Sequence, residues 1–76
     1  MPKDKKRIYL TEIRNYRFLN GEMTQEELGK MIGISRQAVC DIETGKKVPS
    51  LKTARRIALL LGKSIEAIFF PEEKQR

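Results

Sequence analysis

The chain has 76 residues and a formal net charge of +6, from 16 basic and 10 acidic side chains, with one cysteine and no histidine. This length allows one small domain, and a single cysteine excludes an internal disulfide, which fits a reducing cytoplasm. The same composition excludes a zinc site and a Ser–His or Cys–His nucleophile pair, so we expect no enzyme activity, no metal and no cofactor. No apolar run approaches the ~20 residues of a membrane span, and the start "MPKDKKRIYL" lacks the apolar stretch of a secretory signal.

Glycines divide the chain into helical segments. Four of the five glycines stand where an apolar segment of helical period ends, as is typical of helix C-termini. They are Gly21, Gly33, Gly45 and Gly62. No segment alternates apolar and polar residues as a strand does, so we predict a compact all-α domain of five helices. The predicted helices lie at about 6–19, 25–32, 35–43, 50–61 and 64–69. The predicted domain spans 8–70, between a basic tail or helix extension at 1–7 and a charged tail at 71–76.

The predicted helices carry apolar faces and start signals. In the first helix, Leu10, Ile13 and Tyr16 share one face. Thr24 and Glu27 have the spacing of a capping box, which predicts the start of the second helix. A serine stands at the N-cap position of each later helix, and these serines are Ser35, Ser50 and Ser64.

The second and third helices have the residue pattern of a helix-turn-helix. Gly29 is a small residue inside the second helix, where it allows another helix to cross closely. Gly33, four residues later, allows a sharp turn with positive φ. Val39 and Ile42 then follow at the spacing that packs the third helix back across the second.

The third helix presents polar side chains from its first turn. With Val39 and Ile42 buried, the helical period places Arg36 and Gln37 on the outward side. Arginine pairs with guanine and glutamine with adenine in the major groove of DNA, so these two residues suit base edges. The segment 44–56 that follows holds five Lys or Arg and no acidic residue, which suits a nearby phosphate backbone.

Four blocks occur in a fixed order along the chain, namely "TQEEL", "ISRQAV", "IETGKKVPSL" and "IALLLG". Over about residues 8–70, the sequence resembles the phage-repressor/Cro-like (Xre-type) helix-turn-helix transcriptional regulators, in particular the very short prokaryotic members that consist of this domain alone. The resemblance implies a five-helix lambda-repressor-like DNA-binding domain. It also implies a homodimer on a double-stranded operator, with the third helix in the major groove and a role as a repressor.

The resemblance also implies roles for individual residues. The implied base contacts are Arg36, Gln37, Cys40 and Asp41. The implied contacts to the DNA backbone are Thr24, Gln25, Ser35, Thr44, Lys46 and Lys47. Glu43 matches an acid that pairs with an arginine of the first helix, here Arg17 or, as the alternative, Arg14.

Other classes of function are consistent with the same fold. An antitoxin or adaptor would bind a protein rather than DNA, and its partner surface would coincide with the predicted dimer interface. The residues of that surface are Leu59, Leu60, Phe69 and Phe70. RNA binding is the third alternative, but the predicted reading face lacks the exposed aromatics on which RNA bases stack. We expect a cytoplasmic, nucleoid-associated protein without a membrane contact or a small-molecule ligand.

Overall fold

The computed structural model describes residues 11–71. It contains five helices, which are α1 (Ile13–Leu19), α2 (Gln25–Ile32), α3 (Arg36–Glu43), α4 (Leu51–Leu61) and α5 (Ile65–Phe69). Residues 11–71 form no strand, and the prediction of an all-α domain is confirmed. The predicted bounds of the last four helices agree with the structure to within one residue.

The predicted start of the first helix is wrong. We expected a helix from residue 6, and its first five residues, 6–10, lie outside the described part of the chain. Thr11 and Glu12 are described, and neither is helical. The backbone N–H of Glu12 donates to the carbonyl of Ile68 at 2.9 Å, so it is engaged by α5 rather than by a preceding helical turn. The helix therefore begins at Ile13.

Side-chain caps fix the start of each later helix. In all four cases a hydroxyl oxygen accepts the backbone N–H three residues on, and the capping residues are Thr24, Ser35, Ser50 and Ser64. At Thr24 the box is complete, because the Glu27 carboxylate also accepts the Thr24 backbone N–H at 2.9 Å. Each such cap contributes about 1 kcal/mol to helix stability.

One contiguous core joins the five helices. Its buried apolar residues are Ile13, Leu28, Ile32, Val39, Ile42, Ala54, Ile57, Ala58, Leu61, Ile68 and Phe69. Phe69, which the sequence analysis places on the predicted partner surface, is only 7% exposed. Phe69 stands four residues after Ile65 and therefore shares the inward face of α5. Leu60 is half-buried against the same core, because it flanks the buried stripe that contains Ile57 and Leu61. Leu59 and Phe70 are exposed.

Helix α3 crosses α2 at Gly29. A Cβ atom added to Gly29 would lie 2.6 Å from the carbonyl oxygen of Ile34 and 3.3 Å from Cγ2 of Val39. Only glycine permits this approach without a movement of the backbone. The close crossing sets the position of α3 relative to α2.

Candidate nucleic-acid interface

The turn between α2 and α3 orients the third helix. Gly33 has φ of +85°, and its N–H and that of Ile34 both donate to the carbonyl of Gly29, at 2.8 and 2.9 Å. Val39 and Ile42 are 2% and 3% exposed, so one face of α3 is held in the core. The opposite face of α3 must then point away from the domain.

The first turn of α3 is the most exposed part of that outward face. Arg36 and Gln37 are exposed, whereas Cys40 and Asp41 are half-buried. The Gln37 side-chain nitrogen donates to the Asp41 carboxylate at 3.0 Å. Asp41 therefore sets the direction of the Gln37 carboxamide, a contact that the sequence pattern did not indicate.

The turn after α3 is anchored to the end of that helix. The backbone N–H groups of Lys46 and Lys47 both donate to the carbonyl of Asp41, at 2.8 and 3.1 Å. The side chains of both lysines are exposed. Thr44 is half-buried, and its hydroxyl donates to the carbonyl of Cys40 at 2.8 Å. The two lysines are thus held directly beside the C-terminal end of α3.

A buried polar network ties α1, α2 and α3 together. Arg17 Nε lies 2.8 Å from Glu43 Oε2, and the side chains are 8% and 7% exposed. Arg17 also donates through Nη1 to the carbonyl of Met23 at 2.6 Å. The side-chain nitrogen of Gln25 donates to Glu43 Oε1, next to the second contact from Arg17. The sequence analysis predicts that Gln25 contacts the DNA backbone. In the structure, one N–H of its side-chain amide is already bonded to Glu43.

Helix α1 adds two residues that the sequence analysis missed. The exposed ring of Phe18 lies near two guanidinium groups, with Arg14 Cζ at 5.7 Å and Arg17 Cζ at 5.4 Å from its centre. Phe18 borders two depressions, one with Gln25 and Thr44 in its lining and the other with Gln25 and Arg36. Arg14 and Phe18 therefore belong to the same face as the predicted DNA contacts, so the expectation that this face lacks an exposed aromatic is wrong. The only sequence signal for them is their spacing, since Phe18 follows Arg14 by four residues, about one helical turn.

Neither a metal centre nor a membrane segment was found in the described residues. No His, Cys, Asp or Glu side chains in residues 11–71 cluster in a way that could hold a metal ion. No helix within residues 11–71 has the length and apolar composition that a bilayer crossing requires.

Residues 13–68 match the helix-turn-helix family, and this match covers the polar face and all of the supporting core except Phe69. The chain belongs to the Xre-type helix-turn-helix family. The match begins at the first residue of α1, Ile13, and ends at the buried Ile68 of α5. Family membership makes the chain a DNA-binding regulator rather than an enzyme.

Three relatives align with most of the length of this chain. An uncharacterized HTH-type transcriptional regulator of Methanocaldococcus jannaschii is 45% identical over 64 residues, which cover 84% of this chain and 96% of the relative. One of Archaeoglobus fulgidus is 42% identical over 65 residues, which cover 86% of this chain and 90% of the relative. One of Methanothermobacter thermautotrophicus is 45% identical over 64 residues, which cover 83% of this chain and 91% of the relative.

Proposed function

We propose that the protein binds a double-stranded operator as a homodimer, with α3 in the major groove, and represses transcription by occupying that site. The observation that carries this proposal is the orientation of α3. Val39 and Ile42 hold one face of the helix in the core, and Arg36 and Gln37 are exposed from its first turn. A helix whose polar first turn projects beyond the domain can enter a major groove, which is wide enough to admit it.

Arg36 and Gln37 are the base readers in this proposal. The exposed guanidinium of Arg36 can donate two hydrogen bonds to guanine O6 and N7, worth about 1–3 kcal/mol of discrimination against other bases. Gln37 gives one N–H to Asp41 and keeps its second N–H and its carbonyl oxygen, which together suit adenine N7 and N6. Asp41 then acts mainly by orienting Gln37, and Cys40 is a secondary contact.

The proposed contacts to the DNA backbone include three side chains that keep a hydrogen-bond donor for a phosphate, namely Thr24, Gln25 and Ser35. Thr24 and Ser35 accept backbone N–H groups through their hydroxyl oxygens, so each hydroxyl hydrogen is still available for a phosphate. Gln25 keeps one side-chain N–H, and it stands at the N-terminus of α2, where unpaired backbone amides favour an anion. Thr44 differs, because its hydroxyl hydrogen is bonded to Cys40 and a phosphate would have to displace that bond.

Lys46 and Lys47 extend the backbone contacts beyond α3. Both side chains are exposed, and both backbone amides are fixed to Asp41 at the end of the reading helix. A phosphate strand that flanks the groove would pass beside them. Their contribution would not depend on the sequence of the duplex.

We place the dimer contact on an apolar groove formed by the α3–α4 loop, the start of α4 and α5. Its lining includes Val48, Leu51, Ile65, Phe69 and Phe70, and no charged side chain of the described residues lines it. A two-fold contact brings a surface against its own copy, which an uncharged apolar surface tolerates. Two α3 helices in such a dimer would read half-sites about 34 Å apart. Phe69 and Phe70 thus stay in the proposed interface, whereas Leu59 and Leu60 line a different surface.

Selection of duplexes from a random pool by the full chain, followed by sequencing, tests the proposal. We expect an enriched motif with two-fold symmetry and half-sites about one helical turn apart. A template that carries this motif in a promoter should then give less transcript when the protein is added. A pool without any enriched motif would overturn the proposed function.

A further inference from the structure

A second exposed apolar surface lies away from the residues that line the dimer groove. It is a shallow depression of about 380 Å³ between the end of α2 and the second half of α4, lined by Met31, Ile32, Arg56, Leu59 and Leu60. Met31 is 63% exposed and Leu59 is 69% exposed. We call it the α2–α4 depression.

The α2–α4 depression has a basic rim. Arg56 Nη1 donates to the carbonyl of Ile32 at 3.3 Å, which fixes its guanidinium at the end of α2. Lys30 precedes Met31, and Arg55 stands one turn before Leu59 on the exposed side of α4. No carboxylate of residues 11–71 forms an ion pair with these three basic residues. Their charge is therefore available to a partner.

The nearest acidic residue on α2 does not offset this rim. Glu27 stands one turn before Met31, but its carboxylate accepts the Thr24 backbone N–H and so points toward the N-terminus of the helix. Helix α4 and the segments beside it contribute nothing acidic, because residues 44–65 contain no Asp or Glu. The lining of the depression thus combines an apolar floor with one charged residue, Arg56.

An apolar floor beside basic side chains favours one of the three kinds of ligand that could cover the surface. A second copy of the chain in a two-fold contact would bring the basic rim against itself, and like charges across an interface are unfavourable. A nucleic acid would satisfy the rim but would place phosphates over the exposed side chains of Met31 and Leu59. An acidic amphipathic helix satisfies both, because its apolar side chains cover the floor and its carboxylates reach the rim.

We propose that the α2–α4 depression binds an acidic amphipathic helix of a partner protein. Leucine-like side chains of that helix contact Met31 and Leu59, and its carboxylates pair with Arg56 and Lys30. Methionine suits such a surface because its flexible side chain adapts to different apolar partners. None of Arg36, Gln37, Lys46 or Lys47 lines the depression, so the partner and the operator can bind together. This inference goes beyond the proposed function and does not depend on it.

The test uses a fluorescent synthetic peptide that carries leucine on one helical face and glutamate on the other, with a lysine-for-glutamate version as its charge control. Binding to the full chain is followed by fluorescence anisotropy, and the contacts are mapped by NMR shifts. We expect Leu59→Ser and Arg56→Glu each to raise the Kd at least about tenfold. Two matched controls, Leu19→Ser at an equally exposed leucine and Arg14→Glu at an exposed arginine of α1, should change the Kd by less than about twofold.

Four results would overturn the proposal. Equal losses from Arg56→Glu and Arg14→Glu would show general attraction to a basic protein. Unchanged binding to the Leu59→Ser variant, or shifts confined to Arg36 and Gln37, would place the peptide elsewhere. If a mixed-sequence DNA duplex displaced the peptide from the wild type but not from the Arg56→Glu variant, the depression would be a nucleic-acid surface instead. Circular dichroism shows whether the Arg56→Glu variant is folded. If it is not, Arg55→Glu tests the charge instead, because it leaves the contact between Arg56 and the Ile32 carbonyl in place.

Discussion

Arg17 of α1 and Glu43 of α3 form a two-pronged ion pair beneath the proposed DNA-binding surface, with Arg17 Nε 2.8 Å from Glu43 Oε2 and Nη2 3.3 Å from Oε1. The same carboxylate accepts the Gln25 side chain from α2. Glu43 is therefore the single residue that joins the three helices of the interface. A buried charge of this kind is stable only while its partner is present.

Loss of the Glu43 charge should destabilise the whole domain. Glu43→Gln leaves the buried guanidinium of Arg17 without its counter-charge, and we expect a loss of about 3 kcal/mol in the free energy of unfolding, measured by urea denaturation. Glu22→Gln, at an exposed acid, is the control and should cost less than about 0.5 kcal/mol. A Glu43 variant as stable as the control would show that the pair contributes little.

A larger side chain at Gly29 should disrupt the crossing of α2 and α3. Since a Cβ atom would already lie 2.6 Å from the carbonyl oxygen of Ile34, Gly29→Val should destabilise the domain by about 2 kcal/mol through overpacking. Lys30→Val, at an exposed position of the same helix, tests propensity alone and should cost less than about 1 kcal/mol. Thermal unfolding of both variants compares the two effects. Equal stabilities would mean that the turn moves freely to accept a side chain.

Removal of a phosphate contact should change the salt dependence of DNA binding. Lys46→Ala should weaken binding to every duplex and reduce the slope of log K against log salt by about one unit per protomer. The measurement is a titration at several salt concentrations. Lys30→Ala, an exposed lysine on α2, should leave the slope unchanged. The same slope for wild type and Lys46→Ala would remove Lys46 from the phosphate contacts.

A charge placed in the apolar groove should separate the proposed dimer. Phe70 is 49% exposed and lines the groove, so Phe70→Glu would set two carboxylates near each other across the two-fold axis. Sedimentation should report a dimer for the wild type and a monomer for this variant. Leu19→Glu, at an exposed leucine of α1, should remain dimeric. Wild type and Phe70→Glu sedimenting as the same species would exclude this groove as the interface.

The sequence predicts the later helices well because their signals are local. A hydroxyl at the N-cap and a glycine at the end act within one turn, as Thr24 and Gly33 show for α2. The start of α1 has no comparable signal, since the Glu12 N–H is bonded to Ile68 at the other end of the domain. That contact exists only after the chain has folded.

The orientation of the interface follows from the sequence, but its side-chain contacts do not. Periodicity buries Val39 and Ile42 and thereby exposes Arg36 and Gln37. The direction of the Gln25 side-chain amide depends instead on the position of the Glu43 carboxylate of α3. That position is set by tertiary packing and cannot be read from the spacing of residues along the chain. The burial of Phe69, in contrast, follows from a spacing that the sequence does contain, since Phe69 stands four residues after Ile65 on the inward face of α5.

The affinity of Arg36→Ala for the selected duplex and for random duplexes tests the central claim most directly. We predict that binding to the selected duplex weakens by roughly 1–3 kcal/mol and that preference at one base pair relaxes, whereas binding to random duplexes changes much less. Arg55→Ala, at an exposed arginine on α4, should leave both affinities nearly unchanged. Equal losses on both kinds of duplex would contradict the account, because Arg36 would then contact only the DNA backbone.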